Sequence, residues 1–206
     1  MENTEKIAAI REWLGAGSIN IFGRQFAGKD THGRELVALF DGVLLGAGDI
    51  FRNSVIPQHA KAEMDAGRLV PINDFIEIVL PYLSKEEFKN SPLILSSVGR
   101  WHGEEQGVVQ ATKEAGHPLK AVIYLDIAES VSFERWKKSL HIGERNERND
   151  EDREALETRL AEYKEKTLPV INFYKQDGLL IEIDGTLSKE VVLQDIIDAL
   201  YIRSTR

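Results

Sequence analysis

Cysteine is absent from this chain of 206 residues, and basic residues are outnumbered, with 26 Lys and Arg against 34 Asp and Glu. The absence of cysteine excludes a disulfide scaffold and any zinc site with Cys ligands, so we expect no structural zinc. The formal charge of -8 argues against a broad basic surface for nucleic acid, because phosphate neutralisation supplies most of the affinity of such surfaces. We therefore expect no nucleic-acid partner.

Long apolar runs are lacking as well. The longest stretches, such as Ala121 to Leu125 and Leu179 to Ile183, fall far short of the ~20 residues that cross a bilayer. Residues 1–6 are polar and acidic, whereas a secretory signal begins with basic residues and continues with an apolar block. We therefore expect a cytoplasmic protein without a membrane partner, and we expect it to be a monomer.

Short apolar runs that alternate with longer charged stretches are the main pattern that the sequence does contain. The runs predict five buried strands, at Ile19–Phe22, Val43–Leu45, Leu93–Leu95, Ala121–Leu125 and Leu179–Ile183. The charged stretches predict amphipathic helices, as the spacing of Leu156, Leu160 and Tyr163 illustrates. Strands that alternate with helices form a parallel sheet with helices on both faces, so the predicted fold class is α/β. In such sheets ligands bind beyond the carboxyl ends of the strands.

The first residues predict a helix of their own. Ile7, Ile10 and Leu14 recur at helical spacing, so we expect a helix from about Glu5 to Leu14, within an N-terminal extension of residues 1–17. We expect its apolar face to pack on the main domain, residues 18–206. A contact with another chain through Trp13 is the alternative.

The loop after the first predicted strand is nearly a phosphate-binding P-loop. Gly23 to Thr31 contains the pattern of Gly, four residues, then Gly-Lys, and a helical stretch follows. In a P-loop the backbone N–H groups wrap a phosphate, the Lys reaches its outer oxygens, and a hydroxyl meets Mg²⁺. Here Asp30 occupies the hydroxyl position and Thr31 follows it. The alternative is a plain glycine-containing turn with a solvated Lys29.

Asp30 is unusual because a carboxylate repels phosphate unless Mg²⁺ or a nearby Arg offsets the charge. It also stands at the predicted N-terminus of a helix, where a negative charge is favourable. We favour this helix role and keep compensation near Mg²⁺ as the alternative.

Further motifs follow the later strands. They are Gly46–Arg52, Ala62–Pro71, Ser96–Arg100, Arg148–Glu151, Arg159–Tyr163 and Asp184–Leu187. In order and spacing, over about residues 18–202, they resemble adenylate kinase and its relatives, the short-lid nucleoside monophosphate kinases. These kinases are a branch of the P-loop enzymes whose loop ends in Gly-Lys-Gly-Thr. That ending accounts for the position of Thr31. The resemblance implies a three-layer P-loop fold, an acceptor-binding insert at residues 46–76 and a short lid at residues 139–148.

The resemblance also implies a set of functional residues. On the ATP side they are Gly23, Ala27, Gly28, Lys29, Asp30 and Thr31 in the loop, with Thr31 on Mg²⁺, Arg135 over the base and Leu187 beside it. On the acceptor side they are Ala47, Arg52, Gly67, Leu69, Val70, Arg100, Gln106, Arg148 and Arg159. Catalysis is implied for Lys29, Arg100, Arg148 and Arg159. The last two are eleven residues apart, so one continuous helix would place them on one face and let both reach one phosphate chain.

The implied reaction is transfer of the γ-phosphoryl group of ATP, with Mg²⁺, to AMP. Three departures from the family pattern leave alternatives open. Ser96 replaces an Asp near Mg²⁺, and Ser139 replaces a lid Arg, for which Arg145 could substitute. Ala47 replaces a Thr of adenine-selective members, so UMP or CMP is the alternative acceptor. Two rival functions are a nucleotide-binding regulator without turnover and a kinase for a non-nucleotide small molecule.

Overall fold

A five-stranded, all-parallel sheet forms the centre of the protein. The computed structural model describes residues 3–65, 72–142 and 153–205. The strands are β1 Ser18–Gly23, β2 Val43–Gly46, β3 Leu93–Ser96, β4 Leu119–Asp126 and β5 Leu180–Asp184, and they lie in the order β2-β3-β1-β4-β5. All five predicted strands are present, and the α/β class is confirmed.

Helices precede, connect and follow these strands. They are α1 Asn3–Leu14, α2 Lys29–Phe40, α3 Ala47–Arg52, α4 Gln58–Asp65, α5 Ile72–Leu83, α6 Glu105–Glu114, α7 Glu129–Ile142, α8 Arg153–Glu162, α9 Leu168–Gln176 and α10 Lys189–Ser204. A short 3₁₀ turn occupies Glu86–Phe88, and a π-helical turn at Tyr163–Thr167 joins α8 to α9. The predicted helical spacing of Leu156 and Leu160 is confirmed, since both side chains are buried on α8.

The central strand β1 lies between β3 and β4. Its residue Ile19 is opposite Ile94 on one side and Ala121 on the other. The chain leaves β1 toward the β2 edge but leaves β3 toward the β5 edge. Loops that diverge in this way open a crevice at the carboxyl edge of the sheet, where ligands bind in folds of this kind.

Each face of the sheet is covered by its own hydrophobic layer. The first layer combines α1, α2 and α10 with strand residues such as Ile19, Ile21 and Ile123. The second combines α5, α6 and α9 with strand residues such as Phe22, Val122 and Leu95. Burial of these side chains supplies most of the stabilisation of the fold, at about 25 cal/mol per Å² of apolar surface. The expected arrangement of three layers is confirmed.

The N-terminal helix is part of the first layer. It begins at Asn3, two residues before the predicted start, and the side chains of Ile10 and Leu14 are 0% and 1% exposed. An ion pair of 2.6 Å between Lys6 Nζ and Asp198 Oδ1 joins α1 to α10. The expected packing of α1 on the main domain is therefore present.

Parts of the predicted insert and lid lie outside the described residues. Helix α4 ends at Asp65, and α7 continues through Ile142, so residues 139–142 of the predicted lid are the last turn of a helix. Residues 66–71 and 143–152 are not among those described, and the boundaries 46–76 and 139–148 stay predictions. Within the described ranges, no helix is long and apolar enough to cross a bilayer.

Candidate active site

The loop between β1 and α2 has the backbone shape of an anion-binding turn. Phe26 and Gly28 both have positive φ angles, 63° and 99°. Residues in the left-handed region within such a turn direct successive N–H groups toward a common point, which suits a phosphate. Glycine is favoured at position 28 because a φ of 99° is one that other residues rarely adopt.

The side chain of Lys29 lies across this loop. Its ammonium donates hydrogen bonds to Gly23 O at 2.8 Å and to Arg24 O at 2.9 Å. These bonds hold the positive charge over the turn formed by residues 23–28. Ala27 is buried beneath it and packs into the first layer. The arrangement is suited to binding a phosphate group.

Helix α7 fixes the P-loop from one side. Ser132 Oγ donates to Gln25 O at 2.7 Å, and the Arg135 guanidinium donates to Phe26 O at 3.2 Å and to Gly185 O at 2.7 Å. Arg135 thus joins the P-loop to the turn after β5. Leu187, in that turn, is 43% exposed. The residues implied for the ATP base lie together in the structure, although the contact of Arg135 with a base stays a prediction.

An oxygen-rich pair joins the end of β3 to the first turn of α2. Ser96 Oγ, at the end of β3, donates a hydrogen bond of 3.0 Å to Asp30 Oδ1 in the first turn of α2. Thr31 follows Asp30 and is half-buried. Carboxylate and hydroxyl oxygens, together with substrate phosphates, are the ligands that Mg²⁺ prefers, so this donor set fits a Mg²⁺ ion.

The acceptor side begins directly after β2. Ala47 is the first residue of α3, and Asp49 caps this helix by accepting a hydrogen bond of 3.2 Å from Gly46 N. Arg52, in the last turn, donates to Asp49 Oδ1 at 2.6 Å while its side chain is 72% exposed. An exposed ion pair of this kind contributes little, so Arg52 can exchange Asp49 for a phosphate at small cost.

Helix α8 packs directly on the P-loop. Leu156 and Leu160 form an apolar cluster with Trp136, and Phe26 of the P-loop packs against that cluster. Gln25 Nε2 lies 3.5 Å from Arg159 O, which places the backbone of Arg159 beside the same loop. The backbone of Arg159 is thereby close to the P-loop, and the contact of its guanidinium with a phosphate stays a prediction.

Comparison with known proteins assigns the chain to a family. Residues 21–179 match the family model described as adenylate kinase. A curated protein named adenylate kinase, from Methanosarcina mazei, is 31% identical, with 87% of this chain and 96% of that protein covered. Proteins of the same name from Methanococcoides burtonii and a Cyanothece species are 28% and 29% identical, with 89% and 87% of this chain and 98% and 94% of those proteins covered.

The chain belongs to the adenylate kinase family. It is an ATP-dependent nucleoside monophosphate phosphotransferase. Membership explains why a P-loop, an Arg after β2 and an Arg after β3 follow one another along this chain.

Not every residue implied by the family pattern is placed in this site. Gly67, Leu69, Val70 and Arg148 lie outside the described residues, so their roles stay predictions. Gln106 is exposed in the first turn of α6 and lines a groove between α6 and α9, together with Gln110 and Phe173. Its contact with an acceptor base also stays a prediction.

Three residues that sequence reasoning missed hold the family's phosphate-binding loops in place. Arg24 donates to Ile127 O at 2.7 Å and lies over the Tyr163 ring at 5.1 Å, so it joins the P-loop to the residue after β4 and to the π-helical turn after α8. Asn20 in β1 and Glu104 before α6 bind the loop that carries Arg100. Only Asn20 had a signal in the sequence, an amide inside an otherwise apolar run, since such a group persists in a core only when hydrogen-bonded.

Burial shifts the titration of two groups near the site. The pKa of His32 is lowered, mainly by burial, although Glu35 Oε2 lies 3.2 Å from its ring and opposes the shift. Burial raises the pKa of Glu104 to about 7, against a hydrogen bond from Trp101 and the nearby charge of Arg100. His32 is therefore neutral over more of the pH range, and Glu104 changes charge near neutral pH.

Proposed function

We propose that this protein reversibly transfers the γ-phosphoryl group of ATP to AMP, giving two ADP. One observation carries the proposal. Lys29, Arg52, Arg100 and Arg135 follow four different strands of the sheet, and Lys29 and Arg135 hydrogen-bond to a turn shaped for a phosphate. A protein that only binds ATP has no use for cations after β2 and β3, whereas a phosphoryl acceptor needs both.

The proposed roles follow from where each cation lies. Lys29 holds the outer phosphates of ATP from its position over the P-loop. Arg52 and Arg100 orient the acceptor phosphate, and the planar guanidinium suits this because it engages two oxygens at once. Arg159, beside the P-loop, neutralises charge on the transferred group. Phosphoryl transfer needs this in-line positioning and charge neutralisation rather than a covalent intermediate.

Mg²⁺ accompanies ATP in this family, and its presence here would neutralise charge on the phosphate oxygens. Thr31 is proposed as its direct protein ligand. Asp30 and Ser96 lie beside Thr31, and the hydrogen bond between them keeps the Asp30 carboxylate turned toward β3. We infer that Asp30 replaces the carboxylate that Ser96 lacks.

Water has to be kept from the transferred group, because otherwise ATP is hydrolysed. Phe26 is in the P-loop itself and packs against the cluster formed by Trp136, Leu156 and Leu160. These apolar groups shield one side of the turn. Closure by a lid around residues 139–148 is proposed for the other side.

AMP is the proposed acceptor because the similar curated proteins are named adenylate kinase. One observation favours a second candidate, a UMP- or CMP-type acceptor. Ala47 begins α3 where adenine-selective members have Thr, so a hydroxyl that would contact the base is missing.

A coupled assay of ADP formation with AMP, GMP, UMP, CMP and no acceptor tests the proposal. We expect the highest kcat/KM with AMP. Highest activity with UMP or CMP would show that the acceptor is a pyrimidine nucleotide and that the reaction is still phosphoryl transfer. Equal ATP consumption with and without acceptor would contradict phosphoryl transfer to a nucleotide.

A further inference from the structure

The loop of residues 97–104, between β3 and α6, carries Arg100 on an unusually constrained backbone. Ser97 and Gly99 have φ angles of 53° and 66°, in the left-handed region. A Cβ on Gly99 would lie 2.2 Å from Val108 Cγ2, so the loop packs closely on α6. A non-glycine residue such as Ser97 stays in this region only when its surroundings fix it there. Arg100 itself is exposed.

Asn20 fixes the loop on the N-terminal side of Arg100. Its side chain is fully buried in β1, between Ile19 and Ile21 in sequence. Asn20 Nδ2 donates to Val98 O at 2.8 Å, and Val98 N donates to Asn20 Oδ1 at 3.3 Å. One amide therefore satisfies both backbone groups of the residue two positions before Arg100.

Glu104 fixes the loop on the C-terminal side. Its carboxylate accepts a hydrogen bond of 3.2 Å from Trp101 N, the residue directly after Arg100, while its backbone N donates to Trp101 O at 2.9 Å. The next turn is held as well, since Glu105 Oε2 accepts from Gly103 N at 2.6 Å. The charged groups that face Glu104 are Arg100 and Glu105, and the Tyr174 hydroxyl is also close to both carboxyl groups.

A buried amide and a buried carboxyl are costly to desolvate and persist only when they are hydrogen-bonded. Here the bonds go to loop backbone, to Val98 from Asn20 and to Trp101 from Glu104. Asn20 bonds the backbone before Arg100, and Glu104 bonds the backbone after it. A guanidinium on a backbone held in this way is already oriented before the substrate arrives, and such preorganisation strengthens binding and catalysis.

We propose that Asn20 and Glu104 are positioning residues that together hold the backbone on both sides of Arg100, so that Arg100 meets the acceptor phosphate. The inference rests on the proposed role of Arg100 in binding the acceptor nucleotide. Neither residue touches a substrate. Their effect is therefore expected in the KM for the nucleoside monophosphate rather than in the KM for ATP.

Steady-state kinetics of matched variants test the proposal. Glu104→Leu removes the acceptor of the Trp101 N–H group, whereas Glu104→Gln keeps an oxygen there. We expect Glu104→Leu and Asn20→Ala to raise the acceptor KM about tenfold or more, with the KM for ATP changed less than twofold, and we expect Glu104→Gln to stay near the wild-type value. Ser18→Ala is the control for Asn20, because Ser18 is equally buried in β1 but donates to His117 O at 2.8 Å, at the opposite edge of the sheet.

The same measurements in an Arg100→Ala background separate positioning from general damage. If the two residues act through Arg100, Glu104→Leu and Asn20→Ala will add little to the acceptor KM of Arg100→Ala, because coupled sites are not additive. Equal fold-changes in both backgrounds, or equal changes in both substrate KM values, would overturn the inference. If Asn20→Ala does not fold, the comparison of Glu104→Leu with Glu104→Gln tests the proposal. A normal acceptor KM in Arg100→Ala alone would instead contradict the role that the proposed function gives to Arg100.

Discussion

Ser96 Oγ donates a hydrogen bond of 3.0 Å to Asp30 Oδ1, which joins the end of β3 to the first turn of α2. In the family pattern that the sequence resembles, position 96 is an Asp and position 30 is a Gly. In this chain the carboxylate is therefore carried by α2 instead of by β3, on the opposite side of the contact between positions 30 and 96. The two side chains are 66 residues apart in sequence but in direct contact beside Thr31.

Loss of the Asp30 carboxylate should weaken the response to Mg²⁺. We expect Asp30→Gly to raise the Mg²⁺ concentration for half-maximal activity about tenfold, because groups that orient metal ligands contribute 10- to 100-fold to affinity. Calorimetric titration of the protein with ATP, with and without Mg²⁺, should show the same loss. Asp30→Gly combined with Ser96→Asp should restore both values, since the carboxylate returns to β3. Unchanged Mg²⁺ dependence in Asp30→Gly would contradict this role and leave Asp30 as a helix N-terminal charge.

Removal of the Lys29 ammonium should slow turnover far more than it lowers stability. We expect Lys29→Met to reduce kcat about 10²- to 10³-fold, the usual loss when one donor to the transition-state charge is removed. Lys113→Met, on the surface of α6, is the control and should keep wild-type kinetics. Thermal melting of both variants checks the fold. A Lys29→Met enzyme with normal kcat would show that the ammonium does not meet the transferred group.

Glu104 should make stability depend on pH in a defined direction. Its pKa is raised to about 7 from an ordinary 4.5, so the folded protein keeps a proton there that the unfolded chain loses earlier. The free energy of unfolding should therefore fall as the pH rises from about 4.5 to about 7 and stay level above that, by up to about 3 kcal/mol for this group.

Urea unfolding of the wild type and Glu104→Gln across this range measures the effect. Glu104→Gln lacks the titration, so its stability relative to the wild type should increase between pH 4.5 and pH 8. Ser18→Ala loses a buried hydrogen bond, so its curve should lie below that of the wild type and run parallel to it. Parallel curves for Glu104→Gln and the wild type would mean that this carboxyl titrates normally in the folded protein.

The N-terminal helix should contribute to stability and not to catalysis. Leu14 is fully enclosed in the first layer, and Leu→Ala at such sites costs about 2–5 kcal/mol. We expect Leu14→Ala to lose stability of this order in urea unfolding, with kcat/KM unchanged, while the exposed Glu12→Ala changes neither. An altered KM in Leu14→Ala at a temperature where the protein is folded would indicate a functional role for α1.

The sheet could be predicted from sequence because its signal is local. Each strand is a short apolar run, and the run that contains Ile19 and Ile21 is identifiable without knowledge of its partners. The end of α7 was harder to predict, since the charged residues around Lys138 suit an exposed helical face as well as a loop. In the structure these residues are helical as far as Ile142.

The contacts that shape the site depend on distances along the chain that a sequence pattern does not contain. Asn20 lies within an apolar run and is 78 residues from the loop that it holds. Arg135 was expected over a nucleotide base, yet its guanidinium also joins Phe26 O to Gly185 O, 50 residues further along the chain. These roles depend on which loops the fold brings together, and the residue types alone do not specify that.

Phosphorus NMR of a mixture of ATP, AMP and Mg²⁺ with the enzyme tests the central proposal most directly. We predict that the resonances of ATP and AMP decrease together while those of ADP grow, and that the same mixture of nucleotides forms when the reaction starts from ADP. No inorganic phosphate should accumulate. Release of inorganic phosphate with AMP unchanged would contradict the account.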